Sequence, residues 1–272
     1  MLLRRAAAIA TTAIVALTVL SGTADAVPAP IAPVPPGTVA PAADGSICWY
    51  GACYDYVNGR QRVDASGASV VMYQARPEID HADVDAHSLQ ELAVQSADGT
   101  QIVEVGWTVD RGLNGDTHPH LFVYHWVDQQ ESCYNGCGFV PTSHLVKAGM
   151  RLAEGTAGVF AIENGHGDWW ISYDGLPVGY FPGSLWGGTF TRLGLVQTFG
   201  EVAAKAVPSC DDMGDGRPGS SARSSWIAGF RLIRGAARPL LDVYSTSPDW
   251  YSEGSVRATS FHLGGPGGSG SC

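Results

Sequence analysis

Asn-Gly and Asp-Gly dipeptides recur along the whole chain, and they limit the length that any regular element can have. These pairs favour tight turns with positive φ angles, the kind of turn that joins two antiparallel strands. They begin at Asp44, Asn58, Asp98, Asn114, Asn135, Asn164, Asp174 and Asp215. A chain punctuated in this way is suited to short strands joined by hairpins, and poorly suited to long helices.

Between these dipeptides lie short runs in which apolar and polar residues alternate or β-branched residues predominate. Such runs, at this spacing, are typical of a sandwich or barrel. The clearest cover residues 69–74, 101–109, 120–127, 158–163, 168–173, 177–181 and 192–203, and the weaker ones cover 225–233 and 259–263. The best helical signal, residues 182–186, is at most two turns long. The sequence therefore predicts an all-β fold, an antiparallel β-sandwich of two packed sheets with very little helix.

The first 26 residues have the pattern of a secretory signal peptide. Arg4 and Arg5 precede a short apolar stretch, and the small residues of Ala24-Asp25-Ala26 suit a cleavage site. Residues 27–47 are rich in Pro and Ala and are expected to form an extended pro-segment or linker before one domain over residues 48–272. No later segment is long and apolar enough to cross a membrane. We therefore expect a secreted, extracellular protein that leaves the membrane after signal cleavage.

The charge of the chain argues against a nucleic-acid partner. The net charge is −10, and it becomes −11 without the signal peptide, which carries two Arg and one Asp. Only two lysines are present, Lys147 and Lys205, and neither belongs to a basic run. Binding to a phosphate backbone needs clustered Lys and Arg. We expect no nucleic acid, no bound cofactor and a monomer.

Six cysteines in an exported chain favour disulfides. They are Cys48, Cys53, Cys133, Cys137, Cys210 and Cys272. The sequence leaves 15 pairings open, but the spacing favours two small loops, Cys48–Cys53 and Cys133–Cys137, with Cys210–Cys272 fixing the tail. A zinc site is the alternative, yet neither short pair has the C-x-x-C spacing.

Two glutamates interrupt strong strand signals. Alternation places Glu104 on one face of its strand with Ile102, Gly106 and Thr108, and the neighbouring valines with Trp107 on the other. Glu201 shares a face with Leu195, Gln197, Phe199 and Ala203. Gly106 and Gly200 lie near the two acids, which predicts room for a ligand backbone.

A single glutamate in a strand is usually a solvated position, but two favour a catalytic pair. One ionised carboxylate can take a proton from water while the other, protonated, donates one to the substrate. Other chemistry has little support, because the chain contains neither a G-x-S-x-G nor an H-E-x-x-H motif. His118 and His120 could hold a metal, but they closely follow the turn signal at Asn114 and favour a strand start. We expect no metal.

Several aromatic side chains and one amide are candidates for substrate contacts. Trp107, Trp170 and Tyr180 could line a groove for proline rings or sugar faces, although most aromatic residues of a sandwich lie in its core. Gln197 shares the face of Glu201 and could polarise a substrate carbonyl.

A series of segments, taken in chain order, resembles the motifs of one family. The segments are 103–109 (VEVGWTV), 133–140 (CYNGCGFV), 142–143 (TS), 168–170 (DWW), 178–185 (VGYFPGSL), 200–202 (GEV), 213–216 (MGDG) and 261–267 (FHLGGPG). Together, over roughly Ser66 to Cys272, they resemble the neprosin family of glutamic prolyl endopeptidases. Several motifs in one order are far more specific than any single one.

The resemblance implies that Glu104 and Glu201 are the two catalytic glutamates of a secreted glutamic endopeptidase that cleaves after proline. It implies a β-sandwich and peptide or protein substrates, including Pro-rich ones. Plant members carry a sizeable N-terminal pro-domain, whereas this chain has only the short Pro-rich segment and the Cys48–Cys53 loop. We expect a bacterial-type secreted member of the family. Two other interpretations stay open: a secreted glycoside hydrolase using the same carboxylates, and a non-catalytic β-sandwich that binds polymers.

Overall fold

A computed structural model describes residues 47–49, 52–80 and 82–268. They form two antiparallel sheets and very little helix, which confirms the predicted β-sandwich. The predicted signal peptide, all but the last residue of the predicted 27–47 segment, and Cys272 lie outside the described residues. None of the helices in the described ranges is long and apolar enough to span a membrane.

The strands, numbered in chain order, divide between a first sheet of seven and a second sheet of eight. The first sheet contains, in spatial order, β1 (Ile47–Trp49), β2 (Ala52–Ala65), β11 (Leu193–Ala204), β4 (His87–Gln95), β5 (Ile102–Asp110) and β6 (His120–Trp126), with β13 (Asp242–Ser245) paired to β2. The second contains β14 (Ser252–Arg257), β15 (Ser260–Gly264), β12 (Trp226–Ile233), β3 (Gly67–Gln74), β8 (Thr156–Gly165), β9 (Asp168–Tyr173), β10 (Leu176–Phe181) and β7 (Val140–Pro141). None of the strand candidates identified in the sequence corresponds to β2 or β4, although both strands lie inside the first sheet.

The described helices are two single turns. The helix α1 (Arg111–Asn114) begins after Asp110, whose side chain accepts a hydrogen bond from the amide of Leu113, and ends at Gly115 with φ of 77°. The dipeptide Asn114-Gly115 thus ends a helical turn. A 3-10 helix, Gly183–Trp186, lies at the predicted position.

Alternation along the strands of the first sheet produces two buried faces. One face carries the valines and Trp107 of β5 and packs on Phe160 and Ile162 of the second sheet to form the main core. Full burial of such side chains stabilises the fold by about 1.5–3 kcal/mol each. The other face carries a separate apolar cluster and the glutamates of β4, β5 and β11. We call it the acid face.

The turn dipeptides have two different roles. Asp174 and Gly175 join β9 to β10 with positive φ angles of 48° and 75°, as predicted for a hairpin. The prediction of a turn at Asn58-Gly59 is wrong, because both residues lie within β2. A Cβ at Gly59 would stand 2.7 Å from the ring of Phe261. This glycine therefore allows close packing of a side chain on the strand.

Two of the three predicted disulfides are confirmed. Cys48 is bonded to Cys53 across the β1–β2 hairpin, and Cys133 is bonded to Cys137 in the loop after β6. Cys210 is also disulfide-bonded, and Cys272, its predicted partner, lies outside the described residues. The described cysteines are therefore bridged, and the zinc alternative has no support among them.

Candidate active site

Three neighbouring strands position the two predicted glutamates on the acid face. Glu201 of β11 lies opposite Leu89 of β4, and Glu104 of β5 lies opposite Ala93 of β4. Residues that are directly opposite in an antiparallel register share a face of the sheet. The two glutamates are therefore on the same face, two strands apart, with β4 between them.

A third glutamate, which the sequence analysis missed, lies between the first two. Glu91 of β4 has Phe199 as its direct neighbour on β11 and Gly106 on β5, each two positions from a predicted glutamate. Such diagonal neighbours are about 7–8 Å apart between Cα atoms, within reach of long side chains. Glu201, Glu91 and Glu104 form a line across three strands, which we call the glutamate diagonal.

Each end of the diagonal is held by one nitrogen. The indole Nε1 of Trp126 donates a hydrogen bond of 2.9 Å to Oε1 of Glu104. Nε2 of His87 lies 3.0 Å from Oε1 of Glu201. Within the described part of the chain, Oε2 of each of these two glutamates has no N–H or O–H donor. One oxygen at each end is therefore available to exchange a proton with another group.

Burial dominates the ionisation of Glu91 and Glu104. All three glutamates are fully buried, and burial raises the pKa of Glu91 well above its ordinary value of 4.5, with the charges of Glu104 and Glu201 acting in the same direction. Burial also raises the pKa of Glu104, against the effect of the Trp126 hydrogen bond and together with the charge of Glu201. The pair therefore holds a proton at pH values where an exposed glutamate has lost it.

Two tyrosines border the diagonal. Tyr56 of β2 lies directly opposite Glu201, and Tyr134 of the Cys133–Cys137 loop packs on Phe122 and Tyr124 with ring centroids 5.4 and 5.1 Å away. Burial, with the charge of Glu201 as the next cause, raises the pKa of both tyrosines well above 10.0. Both phenols stay neutral and can only share or donate their proton in hydrogen bonds.

His87 is expected to give the fold a pH-dependent stability that His87→Gln removes. Burial lowers the pKa of His87, but the hydrogen bond and charge of Glu201 outweigh it, so the pKa is raised above 6.5. A group whose pKa is higher in the folded than in the unfolded state stabilises fully below the unfolded value and loses that effect as pH rises through the folded value. Melting temperatures should be measured from below the unfolded pKa of histidine to above the raised pKa of His87. The melting temperature of His87→Gln should fall furthest below that of the wild type at the low end of this pH range.

His144→Gln is the matched control, because His144 is exposed in the loop after β7. Its melting temperature should follow that of the wild type at every pH. A constant difference between His87→Gln and wild type over the whole range would rule out a charged His87–Glu201 pair.

Gln197 is the only predicted substrate-contact residue on the acid face. It lies in one row with Ala93 and Glu104, on the far side of the small Ala93 side chain. Its Oε1 accepts a 2.8 Å hydrogen bond from Nε2 of Gln95. Its own Nε2 has no hydrogen-bond partner among the described residues. An unpaired amide nitrogen near Glu104 is a donor that a substrate carbonyl could use.

The other predicted contact residues do not lie with the glutamates. Trp107 points to the main core, where Nε1 donates a 3.1 Å hydrogen bond to the carbonyl of Tyr73. Trp170 and Tyr180 are paired on β9 and β10 of the second sheet, with ring centroids 4.6 Å apart. The structure therefore brings together Glu104, Glu201 and Gln197, and does not bring the three aromatic residues to them.

The expected room beside the two glycines is filled by the protein itself. A Cβ at Gly106 would stand 2.1 Å from the carbonyl oxygen of Gln90, and one at Gly200 would stand 2.6 Å from a methyl group of Leu263. These glycines permit close approach of neighbouring backbone and side chains, so they do not mark a ligand space.

His118 and His120 are the two histidines that the sequence offered as possible metal ligands. Nδ1 of His118 lies 3.1 Å from a carboxylate oxygen of Glu154. Nε2 of His120, the first residue of β6, lies 3.0 Å from a carboxylate oxygen of Asp116. Among the described residues, no group of three or more His, Cys, Asp or Glu side chains could hold a metal ion. Both histidines have carboxylate partners in the structure.

Comparison with solved structures finds matches to peptidases and to a β-glucanase. Scytalido-glutamic peptidase with a transition-state analogue inhibitor has a TM-score of 0.47 and 10% identity over 77% of this chain and 97% of that chain. SCP-B, a member of the Eqolisin family of peptidases, has a TM-score of 0.38 and 8% identity over 77% of this chain and 96% of that chain. A β-glucanase of Bacillus licheniformis has a TM-score of 0.35 and 12% identity over 72% of this chain and 84% of that chain.

The family comparison is more direct. The Neprosin family pattern matches residues 84–266. This range covers more than half of the chain and includes every strand of the glutamate diagonal. The match does not distinguish bacterial from plant members, so the expected bacterial type is not confirmed. The chain belongs to the neprosin family.

Proposed function

We propose that this protein is a secreted glutamic endopeptidase in which Glu104 and Glu201 activate a water molecule and protonate the leaving amine. Membership of the neprosin family supports a peptidase. The observation that carries the finer proposal is the glutamate diagonal, which has Glu104 and Glu201 at its ends and buried on one face. Two buried carboxyl groups with different partners provide an acid and a base.

We assign the roles of the two glutamates from their partners. Nε2 of His87 lies 3.0 Å from Oε1 of Glu201, and with His87 as the donor and Glu201 as the acceptor, Glu201 is the base. Burial favours the protonated form of Glu104, so Glu104 is the acid. As a carboxylic acid, Glu104 still accepts the Trp126 hydrogen bond on its carbonyl oxygen, and its hydroxyl, on the oxygen without a partner among the described residues, can donate to the substrate.

The reaction then has two proton transfers and no covalent intermediate. Glu201 takes a proton from water while the water oxygen bonds to the carbonyl carbon of the scissile peptide. The tetrahedral intermediate collapses as Glu104 gives its proton to the leaving nitrogen and the C–N bond breaks. Glu201 is left protonated and Glu104 ionised, and proton exchange with solvent restores both. The free Nε2 of Gln197 is a candidate donor to the developing oxyanion.

The substrate proposal rests on the resemblance to glutamic prolyl endopeptidases. We propose cleavage after proline, with proline-containing peptides and proteins as substrates. Since the Tyr-Trp-Pro stretch of the family reads Tyr180-Phe181-Pro182 here, and Tyr180 lies on the second sheet, any proline selectivity must come from other residues on the acid face.

Digestion of a peptide library at several pH values tests this function. The protein should be recovered from the culture medium with Val27 as its first residue or with a later start. Mass spectrometry of the products should show cleavage after proline, fastest in acid, and cleavage that is slower by about 10²-fold or more with the Glu201→Gln variant. Retention of Met1 would contradict export, and the absence of peptide products at every pH would contradict the peptidase.

The same preparations should be incubated with a panel of polysaccharides. A glycoside hydrolase with this carboxylate pair would release sugars in a Glu201-dependent manner. The aromatic residues that favoured sugar stacking lie away from the glutamates, on the second sheet and in the core. We therefore expect no sugar release.

A further inference from the structure

An open cavity of about 600 Å³ lies on the side of the sandwich that is opposite to the acid face. Trp226 of β12 lies directly opposite His262 of β15, and both residues line this cavity. Their chain neighbours Ile227 and Phe261 are buried in the main core. Alternation therefore places Trp226 and His262 on the outer face of the second sheet, and both sheets separate the cavity from the glutamate diagonal.

The described residues that line this cavity include basic and hydroxyl side chains but no Asp or Glu. The chain as a whole has the opposite balance, with 26 Asp and Glu against 16 Lys and Arg. The basic residues are Arg223, Arg257 and His262, and the hydroxyl residues are Tyr73, Ser224, Ser255 and Ser260. We call this site the basic cavity. A concave surface lined by one sign of charge concentrates ligands of the opposite sign.

The two arginines of the basic cavity are not used by the protein in ion pairs. Neither Arg223 nor Arg257 is paired with a carboxylate of the described residues, although both are exposed. Other described arginines do form such pairs, namely Arg60, Arg76, Arg192, Arg217 and Arg234. A guanidinium group is a planar fork of N–H donors that matches a carboxylate. Two such groups at one cavity therefore favour a ligand with a carboxylate.

The two segments that carry these arginines are anchored to the second sheet. Arg223 precedes Ser224, which is buried and whose Oγ lies 3.1 Å from Nδ1 of His262. Arg257 pairs with Ser260 at the end of the β14–β15 hairpin. The main chain beside the cavity is thus held before a ligand arrives, and only the long side chains need to become ordered on binding.

Aromatic rings complete the basic cavity. The ring centroids of Trp226 and Tyr73 lie 6.1 Å apart, with planes tilted by 34°, and both residues are partly exposed. An indole beside guanidinium groups suits a ligand that has an apolar ring face next to an anionic group. The hydroxyl groups of Ser255 and Ser260 suit a ligand that carries hydroxyl groups of its own. A sugar ring with a carboxylate, as in a uronic acid, has all three features.

A peptide is a poorer match for the basic cavity. Extended peptides bind to a sheet mainly through main-chain hydrogen bonds at an edge strand. The lining residues of β12 and β15 lie on inner strands, since the second sheet begins with the order β14, β15, β12 and β3. Their main-chain groups face neighbouring strands, so the ligand has to be recognised by side chains.

We propose that the basic cavity binds a uronic acid unit of an acidic polysaccharide, with the carboxylate on Arg223 and Arg257 and one ring face on Trp226. The site shares no residue with the proposed peptidase reaction. Binding there leaves the acid face open, so the polysaccharide would hold the protein in place without blocking the glutamates. The net charge of −10 repels an acidic polymer at long range. At physiological ionic strength, charges more than about 8 Å away are largely screened, and the groups of the cavity decide the binding.

Titration with a trimer of galacturonic acid, followed by tryptophan fluorescence and calorimetry, tests this site. The wild type should bind the trimer saturably and should not bind a galactose trimer, which has the same ring without the carboxylate. Arg223→Gln and Arg257→Gln should each raise Kd about tenfold, the usual effect of losing a hydrogen bond to a charged group. Trp226→Phe should keep part of the affinity and lose most of the fluorescence change.

Arg238→Gln is the matched control, because Arg238 is exposed, has no ion-pair partner among the described residues and is not part of the cavity lining. It should bind the galacturonate trimer as the wild type does, and all variants should keep the wild-type Tm. Binding of this trimer by Arg223→Gln and Arg257→Gln with the wild-type Kd would overturn the proposal. Equal binding of the two sugar trimers by the wild type would also overturn it.

Two further ligands test which anion the cavity accepts. A trimer of glutamic acid and inorganic phosphate should each bind more weakly than the galacturonate trimer. Tighter binding of the peptide would replace the acidic sugar by an acidic peptide, and equal binding of phosphate would reduce the site to a binder of any anion; either result overturns the proposal. Glu201→Gln should bind the galacturonate trimer normally. Peptide cleavage without sugar binding would thus refute this inference alone, and sugar binding without peptide cleavage would refute only the proposed function.

Discussion

Glu201→Gln is expected to lower kcat/KM for peptide hydrolysis by about 10²–10⁴-fold, the usual contribution of one general acid or base. Glutamine has the shape of glutamate and keeps an oxygen for the bond from His87, but it cannot take a proton from water. Glu104→Gln should cause a loss of the same order, because the amide has no acidic proton for the leaving nitrogen. Single-turnover assays with a proline-containing peptide measure both effects.

The double variant gives the sharper result. Residues that act as one unit show non-additive losses, so Glu104→Gln combined with Glu201→Gln should be about as slow as either single variant. The matched control is Glu163→Gln, the same change at a partly exposed glutamate of β8 that is paired with Arg234, and it should retain wild-type activity. Losses that multiply in the double variant would indicate independent roles, and activity within tenfold of wild type in either single variant would contradict the pair.

Alternation was enough to place Glu104 and Glu201 on defined faces of their strands, because a period of two fixes which residues share a side. It could not place the two glutamates together, since their proximity depends on the pairing of β4 with β11; β4 is the neighbour of β5 in sequence but lies far from β11. Strand order in a sheet is set by long-range pairing, and a local pattern carries no information about it.

β4 itself was missed for a physical reason. The residues from His87 to Gln95 include two leucines, an alanine, glutamines and a glutamate, which are good helix formers and poor strand formers. Both faces of this strand are buried, so polar and apolar residues do not separate by position. Glu91 and His87 were therefore hidden, and a third acidic residue close to a predicted strand was the one available signal.

The aromatic prediction could have been narrowed from the sequence. Trp107 is three positions from Glu104 in one strand, and an odd spacing puts two residues on opposite faces. For Trp170 and Tyr180 the pattern gave no such information. They pair across the β9–β10 hairpin, and nothing local indicates which of two sheets a hairpin joins.

Gly106→Ala is expected to be the most destabilising single-methyl change at the site. The added Cβ would stand 2.1 Å from the carbonyl oxygen of Gln90 and 2.8 Å from Cα of Glu91. Both are backbone atoms of β4 and can give way only if the two strands separate. Overpacking of this kind costs about 1–3 kcal/mol or more, which lowers Tm by roughly 2–4 °C per kcal/mol in a domain of this size.

Gly165→Ala is the matched control in the second sheet. The Cβ of this strand glycine would meet only the ring of Trp170, at 3.3 Å, and that ring is partly exposed and can shift. Its Tm should stay close to that of the wild type. An equal loss of Tm in the two variants would show that the close approach of β4 to Gly106 is not the cause of the loss.

Measurements of activity should distinguish the steric effect of Gly106→Ala from the chemical effects of Glu104→Gln and Glu201→Gln. Moving β4 away from β5 changes the distance between Glu104 and Glu201, because β4 lies between their two strands in the sheet. Gly106→Ala should therefore lose kcat and Tm together, whereas the glutamine variants should lose kcat without a large fall in Tm. If Gly106→Ala kept full kcat despite a lower Tm, the reaction could not depend on the spacing of these two strands, and the glutamate diagonal would be a structural feature alone.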